Sequence, residues 1–98
     1  MTCEAVLSEA FHLLGPAGEP RLAELLRREA VVPAFDLSAE LEPVLKLLHK
    51  YANLPMSLAD ACLVRMTEMM ADPVVLTTDD DFRVYRRHSR QVVPCVMP

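Results

Sequence analysis

Apolar residues recur three and four positions apart in four stretches of this chain, which is the repeat of helices with one buried face. A Gly-Pro pair follows the first stretch, and Ser38 and Ser57 stand where helix caps are expected. The pattern predicts helices at Thr2–Leu14, Glu19–Glu29, Ser38–Tyr51 and Leu58–Met70.

Short apolar runs between these helices predict strands. Ala30–Leu37 is expected to lie at a sheet edge or a bend because it contains Pro33, and Val74–Thr77 follows the Asp-Pro break after the fourth helix. Gln91–Met97 is predicted as the last strand, and Asp80–Arg87 as one or two helical turns. Helices that alternate with short strands favour an α/β fold built on a parallel sheet.

Composition places the chain among small folded domains. Its 98 residues suffice for a single domain, and 52% of them are hydrophobic. The net charge of −4 excludes nucleic-acid binding by bulk charge alone but leaves room for a local basic patch. We expect no membrane span and no secretory signal, and the three cysteines, without a C-x-x-C pair, are expected to be small buried residues in a reducing cytoplasm.

Acidic side chains at the ends of predicted elements are the candidates for chemistry. Asp79 directly follows the Val74–Thr77 strand and Asp81 comes two residues later, so both are candidates for a metal site or for the first turn of a short helix. Asp60 lies three residues after Ser57, which is the spacing of a capping box, yet it shares a helical face with apolar residues. Glu9 lies beside the apolar stripe of the first helix.

Convergence of these carboxylates from separate elements would suit a hard divalent cation such as Mg²⁺ or Mn²⁺. Such a metal activates water and stabilises the leaving oxygen of a phosphodiester. The spacing of these carboxylates along the chain allows them to converge on one ion but does not show that they do.

Three stretches resemble a PIN domain of the VapC toxin type: TCEAVLSEAFHLL, KYANLPMSLADACLVRMTE and VLTTDDDFRVYRR. The resemblance covers nearly the whole chain. It implies a metal-dependent ribonuclease that cuts single-stranded or loop RNA and is neutralised by an antitoxin protein. By position, it makes Glu9, Asp60 and Asp79 catalytic metal ligands for Mg²⁺ or Mn²⁺, with Asp81 as a further, variable ligand.

The chain departs from the family at its start. PIN domains begin with a strand that ends in an aspartate, then a helix and a second strand, whereas this chain opens with Met1-Thr2-Cys3 at the end of that second strand. The resemblance therefore implies one N-terminally truncated, Rossmann-like three-layer domain over residues 1–98, with weak or no nuclease activity. Three explanations follow from this departure: a start assigned too late or a truncated gene, a second chain or a dimer that completes the fold, and a non-catalytic module that binds an antitoxin or itself.

The segment RVYRRHSR is basic directly after the acidic triplet. Arg83, Arg86 and Arg87 are expected either to bind RNA phosphates or to form a solvated turn that balances the aspartates. The methionines around the fourth helix are expected to pack in the core or in a dimer interface.

Overall fold

The computed structural model describes residues 1–77 and 80–96. Within them, three α-helices are followed by a 3-10 turn and short strands, so the fold is mixed α and β. In chain order the elements are α1 (Glu4–Arg27), α2 (Leu41–Lys50), α3 (Leu58–Glu68), β1 (Val75–Leu76), the 3-10 turn (Asp80–Arg83), β2 (Arg86–Arg87), β3 (Gln91–Val92) and β4 (Cys95–Val96).

The two helices predicted in the first third of the chain are the halves of one kinked helix, α1. Gly15 is the only residue inside α1 with a non-helical backbone, at φ 62° and ψ −167°, which glycine adopts without steric cost. The helix resumes at Pro16, since a proline in a first helical turn has no N–H to leave unpaired. Gly15 therefore ends the first helical segment at the predicted place, and the second segment begins earlier than the predicted Glu19.

Ala30–Leu37 does not form the predicted strand. Its backbone is tied instead to Thr2, whose N–H donates to the Val32 carbonyl at 2.9 Å and whose carbonyl accepts from the Phe35 N–H at 3.4 Å. Pro33 has no N–H to donate, so the contact does not extend into a ladder.

The helix α2 begins at Leu41, and Ser38 does not cap it as predicted. Asp36 Oδ1 instead accepts hydrogen bonds from the N–H groups of Ser38 and Ala39, at 3.0 and 3.4 Å, and holds a turn before the helix. Carboxylates of this kind stabilise turns by accepting from the backbone two residues on, which competes with helix formation.

An ion-pair cluster joins α2 to α3. Arg65 Nε donates to Glu40 Oε1 at 2.7 Å, and Arg65 Nη1 donates to Glu68 Oε1 at 3.3 Å. Burial acts to lower the pKa of Arg65, but the hydrogen bonds to the two carboxylates outweigh it and the pKa is raised. The guanidinium therefore stays charged between the helices.

The strands form two pairs among the described residues. β1 pairs with β4 in parallel, with Val75 opposite Cys95, and β2 pairs with β3 in an antiparallel hairpin. The predicted strand Gln91–Met97 is thus divided into β3 and β4, which pair with different strands; Met97 lies outside the described residues.

The core lies between α2, α3 and the segment from the 3-10 turn to β4. Tyr85 is at its centre, with edge-on ring contacts to Tyr51 at 5.1 Å and to Phe82 at 5.2 Å between centroids. The largest fully buried side chains are Tyr85, Phe82, Val44, Val64, Val93 and Cys62. Among the described residues, no helix has the length and apolar character needed to cross a membrane.

Candidate functional site

Asp60 lies in the first turn of α3 and forms the capping box that its spacing predicted. Its N–H donates to Ser57 Oγ at 3.1 Å, and its Oδ2 accepts from the Ser57 N–H at 3.2 Å. Two otherwise unpaired N–H groups at the start of the helix are satisfied in this way.

Capping is not the whole role of Asp60. Its side chain is half-buried, and Oδ2 also accepts a hydrogen bond from the Tyr85 hydroxyl at 3.3 Å. No described residue donates a hydrogen bond to the other oxygen, Oδ1. Among the described residues, the carboxylate is thus held through Oδ2 alone.

Tyr85 connects Asp60 to the acidic segment. It follows the 3-10 turn, and its N–H donates to the Asp81 carbonyl at 3.1 Å. The first turn of α3 and the turn that contains Asp81 are therefore neighbours in space, 21 residues apart in sequence. The sequence analysis did not single out Tyr85 as a site residue. Its position four residues after Asp81, one helical turn along the chain, is the sequence feature that could have indicated it.

The remaining carboxylates occupy different environments. Asp81 is half-buried, whereas Asp80 is exposed, with its Oδ1 3.8 Å from Arg83 Nε. Glu9 is exposed on α1, where no described residue forms a hydrogen bond or an ion pair with it. Asp79, predicted as a ligand, lies outside the described residues.

The described residues do not by themselves form a metal centre. Within residues 1–77 and 80–96, no three His, Cys, Asp or Glu side chains lie close enough together to hold an ion. The chemistry of Asp60 and Asp81 nevertheless fits a hard cation, since both offer carboxylate oxygens and Asp60 Oδ1 has no described donor. The predicted set of four ligands stays a prediction.

Two of the three predicted RNA-binding arginines contact the protein's own backbone. Arg87 Nη2 donates to the carbonyls of Thr67 and Met70 at the end of α3. Arg86 Nη1 donates to the Arg83 carbonyl at 2.6 Å and to the two carbonyls that follow it. The Arg83 side chain is exposed.

An uncharged groove of about 330 Å³ runs between the start of α1, α3 and β1, with Met1, Val6, Leu63, Met70 and Val74 among its lining residues. The methionines of α3 and its end divide between core and surface, since Met66 is buried and Met69 and Met70 are exposed.

The groove borders the edge of β1 that faces away from β4. The N–H groups of Val75 and Thr77 donate to carbonyls of β4, at 2.8 and 3.2 Å. Alternate residues of a strand direct their backbone groups to opposite edges, so those of Val74 and Leu76 point away from β4. Among the described residues, no strand pairs with that edge.

Comparisons with known proteins identify no relative of this chain. The chain matches no protein-family model, no curated protein and no solved structure.

Proposed function

We propose that this chain is a PIN-type, metal-dependent ribonuclease domain from a cytoplasmic toxin–antitoxin pair, with weak or no nuclease activity on its own. The observation that carries the proposal is the hydrogen bond from Tyr85 to Asp60, which joins the start of α3 to the turn that contains Asp81. Two of the four carboxylates singled out in the sequence thus belong to adjoining elements. The parallel pairing of β1 and β4 agrees with the Rossmann-like fold that the proposal requires.

In this proposal Glu9, Asp60, Asp79 and Asp81 hold one or two Mg²⁺ or Mn²⁺ ions. When bound, such an ion would supply Lewis-acid polarisation of the phosphodiester and a bound water that loses its proton more readily than bulk water does. The chain's own groups position the ligands: Ser57 and Tyr85 fix Asp60 Oδ2 and leave Oδ1 for the ion. Arg83, which is exposed, contacts the RNA phosphates, and Arg86 and Arg87 hold the basic segment in place.

Cleavage of a fluorescent single-stranded RNA in Mn²⁺ tests this function. We expect slow cleavage at high protein concentration that Asp60→Asn abolishes and that Ser57→Ala retains. Ser57→Ala is the matched control, because it removes the other half of the capping box and leaves the carboxylate. Equal loss in both variants would show that Asp60 acts only as a helix cap, and cleavage that persists in Asp60→Asn would refute its catalytic role.

The groove favours a second candidate function, a non-catalytic module that associates with a copy of itself or with an antitoxin. An uncharged groove, beside a strand edge that no described strand pairs with, offers both apolar contact and backbone hydrogen bonds to a partner. This function needs no metal and no catalysis.

Sedimentation of Val74→Asp tests the second candidate through self-association. Val74 lines the groove, and Val92 is a similarly exposed valine on β3 that is not among the groove residues. If copies pair through the groove, Val74→Asp becomes monomeric and Val92→Asp remains associated. An identical oligomeric state in the wild type and both variants would contradict self-association through this groove.

A further inference from the structure

Two cysteines that are distant in sequence are neighbours in the fold. Cys3 directly precedes α1, and Cys62 lies in the second turn of α3, where the two helices pack together. Both side chains belong to the core, with exposures of 3% and 1%, and the neighbouring Cys3 contributes to the raised pKa of the Cys62 thiol. The third cysteine, Cys95, is half-buried in β4.

A cavity of about 420 Å³ gives small molecules access to this pair. Cys3 and Cys62 both line it, together with the segment from Pro33 to Ser38. Its volume lies within the range of small-molecule sites in proteins. Glu4 and Asp36 also line the cavity, so it favours neutral or cationic reagents over anionic ones.

The Cys62 thiol is shielded from water. Burial, with a smaller contribution from the neighbouring Cys3, raises the pKa of Cys62 to about 12. Cys62 therefore keeps its proton at neutral pH in the folded chain.

We propose that Cys3 and Cys62 form a redox-active dithiol, which a small disulfide entering the cavity converts into an intramolecular disulfide. One cysteine of the pair, after losing its proton, attacks one sulfur of the reagent, forms a mixed disulfide and expels a thiolate, which takes that proton. The sulfur of the other cysteine then attacks the first cysteine's Sγ, loses its proton to the second departing thiolate, and closes the protein disulfide. Two protein thiols are oxidised, and one reagent disulfide is reduced to two thiols.

The new bond would tie the start of α1 to α3 and close a loop of about 60 residues. A cross-link of this span restricts the unfolded chain, so we expect the oxidised form to melt higher than the reduced form, by an amount on the order of 10 °C.

The test treats the full chain with cystamine, a small cationic disulfide, under native conditions. Peptide mapping without reductant then identifies the linked cysteines. We expect loss of the mass of two hydrogen atoms, a Cys3–Cys62 link within one chain, and full reversal by dithiothreitol. The Cys95→Ser variant should behave in the same way, because it retains the pair.

The proposal is overturned if the native chain stays reduced, if it stops at a mixed disulfide, or if the link joins Cys95 or two separate chains. Cys62→Ala serves as the negative control, with Cys3 expected to stop at the mixed disulfide. If that variant does not fold, the map of the wild-type chain still decides between the two results.

Discussion

Replacing Arg87 by alanine should destabilise the fold, since its guanidinium caps α3. Arg87 Nη2 donates to the Thr67 carbonyl, which is partly buried, and at 2.8 Å to the exposed Met70 carbonyl. The positive charge also lies at the negative end of the helix dipole. Losing one partly buried and one exposed charge-assisted hydrogen bond should lower the free energy of unfolding by about 2 kcal/mol.

Urea denaturation measures this change directly. A loss of that size moves the midpoint of a domain of this length down by roughly 1–2 M urea. Arg87→Lys should recover part of the loss, because a lysine retains the charge but not the planar group that reaches both carbonyls.

Arg83→Ala is the matched control from the same basic segment. The Arg83 side chain is 68% exposed and its partner Asp80 is 82% exposed, so the variant should change stability by less than about 0.5 kcal/mol. If Arg87→Ala and Arg83→Ala have the same small effect, Arg87 does not cap α3, and its role as a phosphate ligand becomes the better explanation.

Two further predictions concern the buried charges and thiols. Arg65→Ala should lower the free energy of unfolding, measured by urea denaturation, by about 2 kcal/mol, because the carboxylates of Glu40 and Glu68 lose the cation they share. A change below about 0.5 kcal/mol would contradict this. The pKa of Cys62 is raised from 9.0 to about 12, so above pH 9.0 the unfolded chain releases a proton that the folded chain keeps. The free energy of unfolding should therefore fall as the pH rises from 9.0 towards about 12, by up to about 1.4 kcal/mol per pH unit. The wild-type chain should show this slope in chemical denaturation more steeply than Cys62→Ala, and equal slopes would refute it.

Local sequence signals predicted the helices well. The apolar repeat located all three, and the Ser57–Asp60 spacing identified the cap of α3 because a capping box is formed by residues three apart. Gly15 and Pro16 marked a break correctly, but whether a chain turns away or resumes as a kinked helix depends on the packing that follows.

Contacts between residues distant in sequence could not be predicted from local sequence signals. The strand predicted at Ala30–Leu37 failed because no described strand pairs with it, and a strand needs a paired neighbour as well as apolar residues. The same limit applies to the candidate site. Its carboxylates were chosen by residue type and position, but the hydrogen bond from Tyr85 to Asp60 comes from tertiary packing.

The basic segment shows how one composition supports two functions. RVYRRHSR is equally suited to phosphates and to backbone carbonyls, and nothing in its spacing distinguishes them. The fold makes the distinction by bringing Arg87 to the end of α3 and leaving Arg83 in solvent.

The most direct test of the proposed metal-dependent function is a thermal melt of the wild-type chain, Asp60→Asn, Asp79→Asn and Ser57→Ala, each with and without millimolar Mn²⁺. A ligand that binds only the folded state raises its stability, by about 1.4 kcal/mol at ten times its Kd, which is roughly 5–10 °C here. The account predicts this rise for the wild type and Ser57→Ala and its loss in both aspartate variants. A cooperative melt of the wild type that Mn²⁺ does not shift, or a shift that both aspartate variants retain, would contradict it.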